Sequence, residues 1–398
     1  MRTGLIAAQA RTATGELCAH LPLAGRPVLA WQVDLLRRHG AERIICLCDS
    51  PSADVLRLQH TVEATGGSFH ALQGFAALPA LVRAEDELIV LRDGLVPDAA
   101  LVASLLPSGP ALPKCVLSLP ADHPLAIRHP SAFERIDAAQ HWAGLLVMRG
   151  APVQHLADFP ADADAMSVLL RLALQAGTPC QAMVGDEITD ATWFLADSDE
   201  AVRKNEAALI AAAAPARDWW APLSALAATI VRKAAARGVG QGAKVSALVA
   251  MAMLLAGIVA TAMGSAAIGL VLAATGAFGA QTATGFAAMD ARLQKVETPS
   301  SFSRPLHSAV DLLSALTAWF ALAPWPAIDP LAVCGPLTIG LARLAETGGD
   351  RPLGTIASDR ASVLLALALA AGLGHAATGF ALLATVLMAT VLLSPRKN

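Results

Sequence analysis

Residues 284–311 read TGFAAMDARLQKVETPSSFSRPLHSAVD, between two apolar runs of membrane-spanning length. Asp290, Arg292, Lys295, Glu297, Arg304, His307 and Asp311 all fall in this stretch. Ionisable groups beside hydrocarbon are costly unless they pair, reach water or serve a site, so the stretch is a candidate functional site. It also decides the fold of the second half, because apolar segments of this length on both sides make it a connection between membrane helices.

The bulk numbers agree. The chain is 398 residues long, room for two domains, with 55% hydrophobic and only 15% charged residues. Its mean hydropathy is +0.54. Because the charge deficit lies in the second half, the sequence divides into a soluble half and a membrane half. A net charge of −3 and the absence of any Lys/Arg block interleaved with aromatics exclude nucleic acid as a partner.

Six spans are expected, at about residues 244–263, 265–288, 306–324, 326–344, 360–375 and 377–394. Arg232, Lys233, Arg237 and Lys244 precede the first. Arg292, Lys295 and Arg304 follow the second, Arg343, Arg351 and Arg360 the fourth, and Arg396 and Lys397 the sixth. The other three loops contain no Lys or Arg, which puts both termini on the cytoplasmic side of a bacterial-type inner membrane. Leu223–Arg237 has apolar residues at helical spacing and basic residues at its end, the pattern of an amphipathic helix on the membrane surface or against the first domain. The expected divisions are 1–206, a linker and juxtamembrane helix over 207–243, and a membrane domain over 244–398.

In the first half, apolar runs at Gly4–Ala8, Arg43–Cys48, Ser68–Leu72, Glu87–Leu91 and Cys115–Leu119 alternate with helical patterns at Val28–His39, Asp54–Thr65, Ala76–Ala84 and Ala99–Leu106. That alternation predicts an α/β domain with a mainly parallel sheet, whose ligands sit beyond the carboxyl ends of the strands. The opening MRTGLIAAQARTATGE has too short an apolar core for a signal peptide, so this half is expected in the cytoplasm. Cys18, Cys46, Cys48, Cys115, Cys180 and Cys334 lack metal-ligand spacing. Cys46 and Cys48, sharing one strand face, read as buried free thiols in a reducing compartment or as a redox pair. Asp93, before Gly94, reads either as a ligand at a strand end or as a turn residue. Asp197 reads as its partner or as part of a helix cap. His123 and His129 read as loop residues.

The loop IAAQARTATGELCAHLPLAGRPVLAWQ resembles that of the sugar-phosphate nucleotidyltransferases, which runs L-A-A-G-x-G-x-R to a Lys-Pro and then L-x-x-x-G-x-P-L-L. Leu21–Leu29 keeps the second part. In the first, Gln9 and Arg11 replace the phosphate-wrapping glycines and Cys18 takes the Lys position. The resemblance implies metal ligands at Asp93 and at Asp197 of WFLADS, where Leu195 replaces a further acid. In the second half, Ala291-Arg292 match the A-R of the D-x-x-D-G-x-x-A-R motif of CDP-alcohol phosphotransferases, while Thr284, Ala287 and Ala288 occupy its Asp, Asp and Gly positions. Ser303, His307 and Asp311 keep the spacing of the following G-x-x-x-D-x-x-x-D. The fusion order is similar to inositol-phosphate cytidylyltransferases joined to di-inositol-phosphate-phosphate synthases, and Trp193–Ile210 resembles the end of such a cytidylyltransferase domain.

That resemblance implies phospholipid or polyol-phosphate synthesis, with membrane lipid, a CDP-alcohol or nucleotide, and a second copy of the chain as partners. It implies catalytic roles at Asp311 and His307 and substrate contacts at Asp290, Arg292 and Arg304. The implied cofactor is Mg²⁺ or Mn²⁺, which the depleted carboxylate set of the membrane half no longer holds; a rebuilt site would use Asp290, His307 and Asp311 with Mn²⁺ or Zn²⁺. Two functions remain open: a phosphotransferase with a divergent site, or an inactive relative serving as membrane scaffold, regulator or binding partner. For contact with a second copy the candidates are Gly335, Gly340, Gly372 and Gly379.

Overall fold

A computed structural model describes residues 1–107, 109, 111–160, 162–183, 185, 188–213, 220–234, 239–293, 303–326, 329–346 and 352–393. Lys295, Glu297, residues 214–219 of the linker, Arg237, Arg351, Arg396 and Lys397 lie outside the described residues. The chain forms two units, Met1–Ala208 and Leu209–Asn398.

The first unit is built on a seven-stranded sheet. Its strands in chain order are β1 (Arg2–Ala8), β4 (Arg43–Cys48), β5 (Ser68–Leu72), β6 (Glu87–Leu91), β8 (Cys115–Pro120), β9 (Gln140–Arg149) and β10 (Cys180–Ala182), and their spatial order is β10-β8-β9-β6-β1-β4-β5. Pairing is parallel except around β9, which runs antiparallel to both β6 and β8. Successive side chains point to opposite faces, and β1 shows both being covered. Ile6 and Ala8 pack with Leu29, Val33 and Leu36 of α1 (Val28–Arg38), whereas Leu5 and Ala7 pack in the core that holds Val168, Leu169 and Leu172 of α6 (Ala165–Gln175). Cys46 and Cys48 are buried together on the α1 side.

The strand β9 is absent from the sequence expectation. Ala143–Met148 is buried at every position, so it lacks the alternation that marks a half-exposed strand. The helix expected over Ala76–Ala84 shrinks to α3 (Leu78–Leu81). The segment Leu21–Val28 forms a small hairpin of β2 (Pro22–Leu23) and β3 (Arg26–Pro27). Its two-residue turn has positive φ at both Ala24 (52°) and Gly25 (75°), as a type I′ turn requires. The Glu206 carboxylate accepts the Ala24 N–H at 2.8 Å and holds the turn.

The second unit is helical. In chain order it has α8 (Pro222–Ala234), α9 (Val239–Ala262), α10 (Ala266–Leu293), α11 (Ser303–Leu322), α12 (Cys334–Glu346), α13 (Pro352–Ser358), α14 (Arg360–Gly372) and α15 (Ala376–Leu393). Among the described residues, three segments are long and apolar enough to cross a membrane: Gly242–Ala262, Ala266–Arg292 and Ser303–Leu322. At 1.5 Å per residue, 21 residues span roughly 30 Å, the thickness of the hydrocarbon core. By the same rise α14, with 13 residues, covers roughly 20 Å.

Small residues let α9 and α10 approach closely. A Cβ on Gly257 would lie 2.8 Å from the Gly269 carbonyl, and one on Gly269 would lie 2.6 Å from the Gly257 carbonyl. Any side chain at either position would push the backbones apart. Ala250, Ala273, Ala277, Ala280 and Ala283 continue this seam as buried core. Of the glycines suited to contact with a second copy, Gly335 packs on the Ala318 backbone and Gly379 on Ala370, both within the chain, while Gly340 faces open space. Helix α8 belongs to the helical unit, with Val231 buried against Phe286 and Met289 of α10.

Candidate functional site

Each unit contains a polar site beside the residues the sequence singled out. In the first unit the parallel strands β1, β4 and β6 end at Gln9, Asp49 and Asp93. The Asp93 Oδ2 accepts the backbone N–H groups of Gln9 and Ala10, both at 2.7 Å. A second small sheet pairs β7 (Leu95–Pro97) with β11 (Trp193–Leu195), and the Ala196 N–H donates to the Gly94 carbonyl. This brings Asp197 towards Asp93, with buried Cys18 between them: a Cβ on Gly94 would touch both the Ala196 carbonyl and the Cys18 Cβ.

The electrostatics follow from burial. Asp93 is 9% exposed, and burial pushes its carboxyl up to about 6 against the opposing pull of the Ala10 and Gln9 amides and Arg92. Burial likewise pushes the Cys18 thiol up to about 11, with the charges of Asp93 and Asp197 adding to the effect. Cys18 is therefore a neutral thiol beside Asp93.

The loop itself is closed. Besides the amides given to Asp93, the Thr12 N–H donates to the Glu16 carbonyl, the Gly15 N–H to the Thr12 carbonyl and the Cys18 N–H to the Ala10 carbonyl. The Glu16 N–H donates to the Thr12 hydroxyl. Arg11 donates to the Gly15 carbonyl and lies 3.5 Å from Asp49. A phosphate chain needs several free, convergent N–H groups, and here those of Gln9, Ala10, Thr12, Gly15, Glu16 and Cys18 are engaged by the loop and by Asp93. A divalent cation fares no better. Asp197 faces His129 Nδ1 at 3.0 Å and accepts from the Ser198 hydroxyl, which leaves only the buried Oδ1 of Asp93 without a partner among the described residues. One oxygen does not satisfy an ion that takes about six. His123 caps α5 (Pro124–Arg128) by accepting the Leu125 N–H.

In the second unit Thr284, His307 and Asp311 line one cavity of about 50 Å³, together with Gln281, Arg343, Glu346 and Arg360. Asp311 is held through both oxygens, by Arg360 Nε at 2.9 Å and by an Arg343 N–H at 3.2 Å. Arg360 also reaches Glu346 at 3.2 Å and donates to the Ala357 carbonyl; Arg343 lies 3.9 Å from Glu346. Two carboxylates thus meet two guanidiniums. His307 is exposed and its Nδ1–H donates to the Ser303 carbonyl one turn earlier, at 2.7 Å. The Thr284 hydroxyl bonds to the Ala280 and Gln281 carbonyls of its own helix. Asp290, half-buried, and Arg292, exposed, lie in the last turn of α10 and exposed Arg304 in the first turn of α11, all outside the cavity lining.

Next to Arg360, the fully buried Asp359 gathers five donors. Its Oδ2 accepts the Leu223 N–H (3.1 Å), the Ser224 N–H (3.4 Å) and the Ser362 hydroxyl (2.7 Å). Its Oδ1 accepts the Gln281 side chain (3.0 Å) and the Ser362 N–H (3.3 Å). One carboxylate therefore caps the starts of both α8 and α14 and ties them to α10. Sequence reasoning counted Arg343 and Arg360 only as orientation signals and passed over Asp359, Glu346 and Gln281. The available signal was the Asp359-Arg360 pair opening an apolar helix.

The residues here do not fit a catalytic metal ion. Among the described residues, no group of three or more His, Cys, Asp or Glu side chains is placed to hold one. A divalent ion at Asp311 would have to displace a guanidinium.

No family model matches this chain, and no curated protein matches it in sequence. Over its N-terminal half it has a distant structural likeness to a nucleotidyltransferase. The neighbour is a UDP-glucose pyrophosphorylase from Acinetobacter baumanii, at TM-score 0.36 and 14% identity, covering 52% of this chain and 93% of that one.

The raised Asp93 carboxyl has a measurable consequence. It binds its proton more tightly folded than unfolded, so its contribution to stability falls as pH rises from about 4, the unfolded value, to about 6. The size is on the order of 3 kcal/mol. In the full-length protein, hydrogen exchange of the β6 amides should show opening that becomes easier across this window. Asp93→Asn should flatten that dependence; an unchanged pH profile in the variant would show that Asp93 is not its source.

Proposed function

We propose that this protein is a membrane relative of the CDP-alcohol phosphotransferases in which the metal-dependent transfer site has become a closed ion-pair lattice. It acts in phospholipid or polyol-phosphate synthesis as a scaffold or regulatory partner, and it does not catalyse transfer. The observation that carries this reading is the double engagement of Asp311 by Arg343 and Arg360. The family's chemistry needs carboxylates free to hold divalent metal over a pyrophosphate. Here Thr284 and Ala287 stand at two acidic positions and His307 at a third, and the remaining acid is neutralised. The first unit is read the same way, as a nucleotidyltransferase-like domain whose phosphate loop is sealed.

The reading includes six spans. Helices α9, α10 and α11 are long enough to cross, and α12, α14 and α15 supply the shorter three. The basic residues on alternate loops favour cytoplasmic termini. Reporter fusions after Gly264 and Ala376 should read outside and one after Asn398 inside; an outside signal at Asn398 would remove the even span count.

The test of function is an assay of purified protein in lipid nanodiscs with CDP-diacylglycerol and a panel of polyol acceptors, in Mg²⁺, Mn²⁺ or Zn²⁺. No turnover is expected in any of the three. Turnover that disappears in both Asp311→Asn and His307→Ala would establish a rebuilt site and overturn the proposal.

A further inference from the structure

The first unit holds a second cavity that the sealed loop does not use. It has a volume of about 250 Å³ and lies among α5, β11 and α7 (Asp199–Ala213). Leu125, Phe194 and Leu195 give it an apolar wall. Into this wall is set the carboxamide of Asn205, a residue only 8% exposed whose side chain has no hydrogen-bond partner among the described residues. The carboxamide makes no side-chain hydrogen bond within the described protein, so an occupant of the cavity can supply its partners. Lys204 and Arg128 also line the cavity. Lys204 is exposed and has no ion-pair partner among the described residues, while Arg128 pairs with Asp190.

Three requirements follow for an occupant. It needs flat apolar faces for the Leu125–Phe194 wall. It needs an edge with a donor beside an acceptor, because a carboxamide offers both. It needs an anionic group to meet Lys204 and Arg128. An acyl carboxylate meets the first and third but leaves Asn205 unpaired. A heterocyclic base with its sugar and one phosphate meets all three. At about 250 Å³ the cavity lies just below the roughly 300–1,000 Å³ of drug- and cofactor-sized sites, so it admits no more than one such unit.

We propose that this cavity is a binding site for a nucleoside monophosphate, with the base edge on Asn205 and the phosphate at Lys204 and Arg128. The proposal stands apart from the membrane unit's chemistry. His129 lines the same cavity and contacts Asp197, so an occupant sits directly beside the Asp93–Asp197 region.

The experiment is calorimetric titration of the full-length protein in nanodiscs with CMP, UMP, AMP and GMP, and with ribose 5-phosphate and decanoate as partial probes. At least one nucleotide should bind more tightly than about 1 mM. Asn205→Leu should weaken it by about tenfold or more while leaving thermal stability close to that of wild type, because the side chain makes no hydrogen bond within the described protein. Lys204→Gln should weaken it by roughly threefold and flatten its salt dependence. The proposal is overturned if no nucleotide binds in that range, if Asn205→Leu binds as wild type does, or if decanoate binds as tightly as the best nucleotide.

Discussion

Two neighbouring side chains, the carboxylate of Asp359 and the guanidinium of Arg360, fasten the helical unit from opposite directions. Asp359 draws in the starts of α8 and α14 and the side chain of Gln281 on α10. Arg360 reaches Asp311 on α11, Glu346 on α12 and the end of α13. Burying ions in an apolar bundle is expensive, and it is tolerable only when each charge is fully met by hydrogen bonds or an opposite charge. Removing one partner of such a set typically costs 3–5 kcal/mol, because a bare charge is left behind. The arrangement therefore specifies one packing of six helices, and it absorbs the carboxylate that a metal site would need.

The first unit closes its loop by different means. Here the loop is organised by Asp93, which takes two of its amides, and by Gln9 and Arg11 near Asp49. Cys18 beside it is a buried thiol, and burial outweighs the pull of the two amides and of Arg92, so the Asp93 carboxyl holds its proton more tightly. In both units, protein groups occupy the acceptors and donors that a ligand or metal would otherwise use.

Much of this architecture is visible in the sequence. Continuous apolar runs such as Arg43–Cys48 and Cys115–Leu119 mark strands covered on both faces. Helix-length apolar runs mark the helical unit, three of whose segments are long and apolar enough to cross a membrane. The strand at Gln140–Arg149 escapes the same reading, because an unbroken apolar run of its length has no periodicity to separate strand from helix. The motif frame around Thr284–Asp311 gives the location of the cavity, but not its chemistry. Asp311 meets Arg360 across 49 positions, and pairing over that distance depends on how helices pack, which single-residue patterns do not encode. Asn205 was hidden for a similar reason: on a charged, Ala-rich helix it reads as a surface residue, and only the packing of α5 and β11 around it makes it buried.

The central claim is that Asp311 belongs to an ion-pair lattice and not to a metal site. A double-mutant cycle of Asp311→Asn and Arg360→Gln tests it most directly, read as thermal unfolding of the purified protein in mild detergent without added metal. Each single change should destabilise the protein, and the double variant should lose less than the sum, with a coupling of about 1–3 kcal/mol. A coupling near zero, or an Asp311→Asn variant more stable than wild type, would mean that Asp311 is held as a strained, functional carboxylate, and would contradict the account.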